Sequence, residues 1–98
     1  MLVKIHDSCR MVVAICDKEL INQKFEDKEK QIDLTTDFFK GEQKNEQEVE
    51  EIMRDMKLED ATFNIVGKKS CRIAKEVGII DEDFIFYILG IPVGLVLI

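Results

Sequence analysis

The chain of 98 residues is 46% hydrophobic and 35% charged, which is typical of one folded domain spanning residues 1–98 and excludes wholesale disorder. Its net charge of −6 excludes broad, nonspecific tracking of nucleic-acid phosphates, because that requires a basic face. A local basic surface remains compatible with this total.

Two strands joined by a polar loop are predicted at the start of the chain. Residues 2–6 and 11–16 are rich in β-branched side chains, and residues 7–10 separate them. A four-residue loop pairs His6 with Met11, and this register puts one apolar set on a single face: Val3, Ile5, Val12, Ala14 and Cys16. The opposite face is also apolar, as in strands that are covered on both sides.

The middle of the chain is polar and carries short elements. We predict a helical turn at Lys18–Asn22, a strand at Gln31–Leu34 and a second helical turn over residues 35–39 that ends at Gly41. A helix then follows over residues 46–57, because apolar residues recur there at helical spacing. Asn45 is its predicted N-cap, and the capping box is completed by the glutamate three residues later, Glu48.

The second half predicts a strand at Ala61–Val66 and a helix at Lys69–Val77, which Gly78 ends in a left-handed conformation. Strands at Phe84–Leu89 and Leu95–Ile98 are predicted around a Gly-Ile-Pro-Val-Gly turn. Residues 84–98 carry no charge, but the run is too short and too broken to span a membrane, and we expect no membrane association.

The order of these elements predicts an α+β fold, a two-layer α/β sandwich. Its small mixed sheet starts with the N-terminal hairpin, and two helices lie on one face. Three cysteines, an odd number, without a leading signal segment predict a reducing, cytoplasmic location.

The loop of the first hairpin contains the candidate ligands His6, Asp7 and Cys9. Cys16 lies at the far end of the hairpin, too distant from His6 to share a zinc ion, so we expect no metal site and no cofactor. A Cys9 nucleophile activated by His6 is the catalytic alternative. Cys16 and Cys71 are interpreted as small buried apolar side chains.

A basic segment follows the predicted strand Ala61–Val66. Residues 61–75 carry four bases and no acid, whereas residues 17–60 carry fifteen acids and eight bases. Gly67-Lys68-Lys69-Ser70 resembles the end of a phosphate-binding loop, but Thr62 stands where that motif needs its first glycine. The segment is therefore either a tight turn with a solvated face, or an anion or RNA site at a helix start. The candidate residues for such a site are Asn64, Gly67, Lys68, Lys69, Ser70, Arg72 and Lys75.

Several stretches together resemble the archaeal domain-of-unknown-function family numbered 424. They are Val3-Lys4-Ile5-His6, residues 12–17, Glu19-Leu20-Ile21, residues 38–42, Asn64-Ile65-Val66-Gly67 and Gly78-Ile79-Ile80-Asp81. The resemblance implies a small single-domain α/β protein of the archaeal cytoplasm without an established activity. Members often read Gly-Val-Pro-His-Ala where this chain has Val93 in place of the histidine, and Asn22 stands where a glycine is expected.

Three functions are consistent with these observations. The leading hypothesis is a noncatalytic binding or adaptor domain that associates with RNA, a ribonucleoprotein or the translation machinery through the basic segment. The second is a protein-interaction module that presents its acidic helix to a basic protein. The third is a small enzyme or ligand-binding protein centred on the His6 and Cys9 loop. A homodimer also remains an alternative, because an exposed edge beside the apolar C-terminal strands would present unpaired backbone groups and apolar surface to a second copy.

Overall fold

A six-stranded mixed sheet forms the centre of the protein in a computed structural model that describes residues 1–97. The strands are β1 (Leu2–Asp7), β2 (Met11–Cys16), β3 (Lys24–Glu26), β4 (Gln31–Asp33), β5 (Glu42–Gln43), β6 (Thr62–Val66), β7 (Ile85–Ile88) and β8 (Ile91–Val96). The helices are α1 (Glu46–Leu58) and α2 (Lys68–Val77). The order across the sheet is β5-β1-β2-β6-β8-β7, and β3 pairs with β4 in a separate hairpin. Only β2 and β6 run parallel within the described sheet.

Both faces of the sheet are covered. The two helices pack on one face, where Val49 and Met53 of α1 and Ile73 and Ala74 of α2 meet inward-facing residues of the strands. The segment that contains β3, β4 and Phe39 covers the other face. This arrangement confirms the predicted α+β fold with two helices on one face of a mixed sheet.

The register of the first hairpin differs by one residue from the prediction. Met11 pairs with Asp7 instead of His6, so the loop contains three residues, and Cys16 pairs with Leu2. A slip of one residue moves every side chain of a strand to the opposite face. The prediction that one face carries Val3 together with Val12, Ala14 and Cys16 is therefore wrong. Because β2 is apolar on both faces, the hydrophobic pattern cannot select the register, and the loop length determines it.

The middle elements agree with their predicted places, and two further strands appear. Short 3₁₀ helices form at Lys18–Leu20 and Asp37–Phe39, and β4 occupies the predicted strand. The strands β3 and β5 were not predicted, because each has only two or three residues and lacks apolar alternation.

The C-terminal hairpin corrects the predicted turn. Its turn consists of Leu89 and Gly90 alone, both at positive φ (51° and 81°), which is the geometry of a two-residue hairpin turn. The predicted Gly-Ile-Pro-Val-Gly turn is wrong, since β8 already begins at Ile91 and includes Pro92 and Gly94. Ile98, the predicted last residue of that strand, lies outside the described residues.

Pro92 is tolerated inside β8, an interior strand of the sheet, because of its partner Gly67, the residue that directly follows β6. The Gly67 N–H donates to the Pro92 carbonyl (2.9 Å), and an N–H at position 92 would point back to the Gly67 carbonyl. That carbonyl already accepts from the Cys71 N–H (2.9 Å), so the missing donor of proline leaves no acceptor unpaired.

None of the helices within residues 1–97 is long and apolar enough to cross a membrane.

Candidate functional site

Asp17 joins the end of β2 to the start of α2. The parallel pairing of β2 with β6 brings the carboxyl ends of both strands together, and the Asp17 N–H donates to the Val66 carbonyl (3.0 Å). The Asp17 side chain, only 3% exposed, accepts from the backbone N–H of Lys69 (3.1 Å) and of Ser70 (2.9 Å) and from the Ser70 hydroxyl (2.7 Å). A buried carboxylate thus caps a helix that lies more than fifty residues away in sequence.

Gly67 makes room for this carboxylate. It has φ 114° and ψ 158°, a conformation that side-chain-bearing residues rarely adopt. A Cβ atom at this position would lie 2.3 Å from the Asp17 Cγ atom. The glycine is therefore required both by the backbone conformation and by the close approach of Asp17.

The predicted anion-site residues fall into two groups. Gly67, Lys68, Lys69 and Ser70 meet at the start of α2, where Asp17 already accepts the N–H groups that a bound anion would have used. Asn64 does not join them, because it lies in the interior of β6 opposite Ala14, on the face away from the helices.

Arg72 and Lys75 are engaged with acids. The Arg72 guanidinium donates to Glu46 (2.7 Å) and to Glu76 (3.1 Å), and these contacts raise the pKa of Arg72, with the Glu76 hydrogen bond as the largest cause. Lys75 donates to Glu82 (3.1 Å). The pKa of Glu82 is lowered, first by the hydrogen bond from the Tyr87 hydroxyl and then by Lys75. These two cations therefore serve ion pairs within the chain.

Lys68 and Lys69 differ from them. Both side chains are exposed, and neither forms an ion pair with another residue between positions 1 and 97. They border a cleft of about 370 Å³, whose lining residues are Asp17, Glu19, Leu20, Lys68, Lys69, Ile91 and Pro92. The cleft lies at the carboxyl ends of β2 and β6, the place where open α/β sheets hold their ligands. Two ammonium groups at an open mouth can bind an anionic group of a larger molecule.

Asp17 is not among the residues predicted for this site. Its signal is a carboxylate directly after a buried strand, at a position that parallel pairing can bring beside a helix start. That signal becomes readable only when the pairing of β2 with β6 is known.

The His6 side chain makes its contacts with another segment of the same chain, at Phe38. The imidazole stacks on Phe38 with ring centroids 4.6 Å apart, and its Nε2 lies 3.0 Å from the Phe38 carbonyl oxygen. A carbonyl can only accept, so Nε2 carries the hydrogen of this bond. Asp7 and Cys9 are exposed, and no group of three or more His, Cys, Asp or Glu side chains within residues 1–97 could hold a metal ion.

The two buried thiols are held in the protonated form. Burial raises the pKa of Cys16 to about 11 and that of Cys71 to about 12, with Asp17 as the second cause in both cases. The Cys71 thiol lies 3.6 Å from the Pro92 carbonyl oxygen. Since only a thiolate attacks an electrophile efficiently, these thiols act as packing groups at neutral pH.

A second cleft lies at the opposite edge of the sheet. It has a volume of about 530 Å³ between β1 and α1, and its lining residues are Val3, Lys4, Ile5, Lys40, Gly41, Glu42, Lys44 and Ile52. Lysine and glutamate side chains are interspersed around it, and Lys44 pairs with Glu42 (3.1 Å). This mixture of charges does not select one class of ligand.

Comparison with known proteins gives a family and a fold. The family described as "Protein of unknown function (DUF424)" matches residues 6–97. No curated protein matches the chain. A solved structure titled "Crystal structure of an uncharacterized conserved protein from Methanopyrus kandleri" superposes with a TM-score of 0.82 at 21% identity. The match covers 96% of this chain and 87% of that one, and at this identity it establishes the shared fold alone.

Proposed function

Because the chain belongs to the DUF424 family, whose description names no activity, we propose a function from its own surface. The protein is a noncatalytic binding domain that associates with RNA or a ribonucleoprotein through Lys68 and Lys69. The single observation that carries this proposal is the pair of exposed lysines at the mouth of the cleft, which have no acid partner within residues 1–97. We extend the proposal to the translation machinery in the cytoplasm of an archaeon, with the Methanopyrus kandleri neighbour as support for the source.

The surrounding geometry narrows the mode of binding. Asp17 accepts the N–H groups at the start of α2, so a phosphate would be held by lysine side chains and not by the backbone. Contacts of this kind position a nucleic acid but do not read its sequence. Weak binding that is independent of sequence and sensitive to salt is therefore the expected behaviour.

The proposal is tested by fluorescence anisotropy with a labelled single-stranded RNA over a series of salt concentrations. Each phosphate contact on a single strand contributes roughly −0.7 to the slope of log K against log salt, so two lysines predict a slope of about −1.4. A patch of four free cations would give about −2.8 instead. The ion pairs of Arg72 and Lys75 favour the smaller value.

A matched pair of variants separates a local site from net charge. The double substitution Lys68→Glu and Lys69→Glu is expected to weaken binding by about tenfold or more at low salt, because attraction becomes repulsion. Lys24→Glu with Lys28→Glu changes the net charge equally on the exposed hairpin of β3 and β4 and is expected to have a much smaller effect. Equal losses in both variants, or no binding by the unmodified protein at low salt, would contradict the proposal.

A further inference from the structure

The outer edge of β7 is an open edge of the sheet. β7 pairs with β8 on one side, and no described strand lies on its other side. We propose that a second copy of this chain pairs with it antiparallel, edge to edge, so that the two sheets become one continuous sheet across a two-fold axis. This inference does not rest on the RNA-binding proposal, because the strand that pairs is β7, whereas Lys68 and Lys69 lie in α2.

The backbone of β7 is arranged for such pairing. The two-residue turn makes Ile88 and Ile91 a hydrogen-bonded pair, so the backbone N–H and C=O of Ile88 point toward β8. In an antiparallel ladder every second residue of a strand bonds to the same neighbour, so the backbone N–H and C=O of Phe86 also point toward β8. The N–H and C=O of Tyr87 and the C=O of Ile85 therefore point away from the sheet. The Ile85 N–H already bonds to the Glu82 carbonyl.

The same edge lacks the features that protect other strand edges. Residues 84–97 contain no charged side chain, and no proline or bulge interrupts β7. Phe84 (70% exposed), Tyr87 (47%) and Leu89 (66%) present apolar surface beside the open backbone groups. The charged groups that contact this edge come from other segments and carry both signs: Glu82 accepts from the Tyr87 hydroxyl and pairs with Lys75, and the Lys30 ammonium lies 5.2 Å from the Phe86 ring centroid. Because these charges largely balance, the edge adds little to the repulsion between copies of a chain with a net charge of −6.

Symmetry selects one register. Two copies related by an axis perpendicular to the sheet keep their faces aligned, so residues that oppose each other must point to the same face. Centring the pair on Phe86 lets the Tyr87 N–H of each copy donate to the Ile85 carbonyl of the other. Centring it on Tyr87 would instead oppose Ile85 to Leu89, which lies in the turn at φ 51°.

Charge favours the antiparallel direction. β7 follows the exposed acidic turn Asp81-Glu82-Asp83, and its other end lies at the end of the sheet where Lys68 and Lys69 begin α2. Antiparallel pairing brings the acidic end of each copy toward the basic end of the other, whereas parallel pairing would bring acid toward acid. The acidic turn of the second copy would lie three strand spacings from Lys68, about 14 Å, which exceeds the Debye length of about 8 Å at physiological ionic strength. The attraction therefore forms no direct ion pair and favours this direction chiefly at low salt.

The interface is small. A four-residue strand with its flanking side chains contributes far fewer residues than the roughly 20–30 a side of a stable interface. A weak dimer that depends on concentration is therefore expected.

Sedimentation equilibrium over a wide concentration range tests the association. The apparent molecular mass of the unmodified chain is expected to increase from one to two chain masses as the concentration rises. Tyr87→Lys is expected to abolish this increase, because it places a charge at the edge. A lysine at this position can still pair with Glu82, to which the Tyr87 hydroxyl donates in the unmodified chain, so this contact within the fold is kept. Ile5→Lys, on the opposite edge, is the matched control and is expected to retain the dimer. A single chain mass at every concentration, or equal effects of the two variants, overturns the proposal.

Disulfide trapping tests the register in a Cys9→Ser background. Residues at the two-fold axis form a non-hydrogen-bonded pair with Cα atoms about 4.5 Å apart, within the range a disulfide spans. Phe86→Cys is therefore expected to yield a linked dimer under mild oxidation, whereas Tyr87→Cys, offset from its symmetry mate, is expected to yield little. The reverse pattern overturns the register, and linkage of neither variant overturns the pairing.

Discussion

The two helices of this protein begin in opposite ways. α1 is capped by its own neighbours, since the Asn45 side chain accepts from the Glu48 N–H (2.8 Å) and Glu48 accepts from the Asn45 N–H (3.0 Å), and both residues are exposed. α2 is capped by Asp17, a buried carboxylate on another strand. The same requirement, partners for free N–H groups, is met once by local sequence and once by the tertiary fold. The local cap stabilises a helix, whereas the distant one also ties a helix to the sheet.

Gly67→Ala is the largest expected disruption of the distant cap. The added Cβ would displace Asp17 and would sit in a backbone conformation that is nearly restricted to glycine. Strain and the loss of buried hydrogen bonds together predict a loss of about 3–5 kcal/mol in the free energy of unfolding. Urea denaturation followed by circular dichroism measures it. Glycine to alanine in an unstrained helix or strand position stabilises by about 0.5–1 kcal/mol, so a loss below about 1 kcal/mol at position 67 would show that Asp17 can move aside at little cost.

Asp17→Asn is expected to have the next largest effect. The amide keeps the shape of the side chain but presents a donor where the carboxylate accepts from either Lys69 or Ser70, and it removes the charge beside the helix start. We expect a loss of about 1.5–3 kcal/mol, since a buried donor is left without its partner. Chemical denaturation of the full chain checks this value. Asp33→Asn is the control for a hydrogen-bonded carboxylate that is not fully buried, since Asp33 ends β4 and accepts from the Thr35 N–H and hydroxyl. Similar losses in both variants would contradict a special role for Asp17.

Asn45→Ala is expected to have the smallest effect of the three. Exposed N-caps typically contribute about 1 kcal/mol, because water can replace the lost acceptor. Asn45→Asp preserves the acceptor and is expected to stay within a few tenths of a kcal/mol of the unmodified chain. If Asn45→Ala costs as much as Asp17→Asn in the same denaturation experiment, burial does not distinguish the two caps.

The sequence predicted those elements whose causes are local. The capping box of α1, the left-handed Gly78 after α2 (φ 86°) and the β-branched runs of β1 and β2 all lie within a few residues of what they determine. The turn before β8 was misplaced, because Pro92 normally interrupts a strand. Its tolerance here depends on Gly67 and Cys71, which lie twenty or more residues away.

The candidate site was predictable only in part for the same reason. Lys68 and Lys69 were visible as a basic pair after a strand, and their exposure followed. The sequence predicts a helix start beside them that is free to bind an anion, because no acidic residue near it in sequence could occupy it. The carboxylate that does occupy it comes from Asp17, and the ion partners of Arg72 come in part from α1. Which acids neutralise which bases is fixed by helix packing, and no short-range pattern carries that information.

The distant cap also sets an order of events during folding. α1 can close its capping box as soon as one helical turn forms, a step that needs microseconds or less. The bonds of Asp17 to α2 need a chain segment of 53 residues to close and β2 to lie beside β6, so we expect them to form late. Interactions that form after the transition state govern the unfolding rate and leave the folding rate nearly unchanged. Asp17 is therefore expected to slow unfolding, so that it sets how long the native structure persists rather than how quickly it is reached.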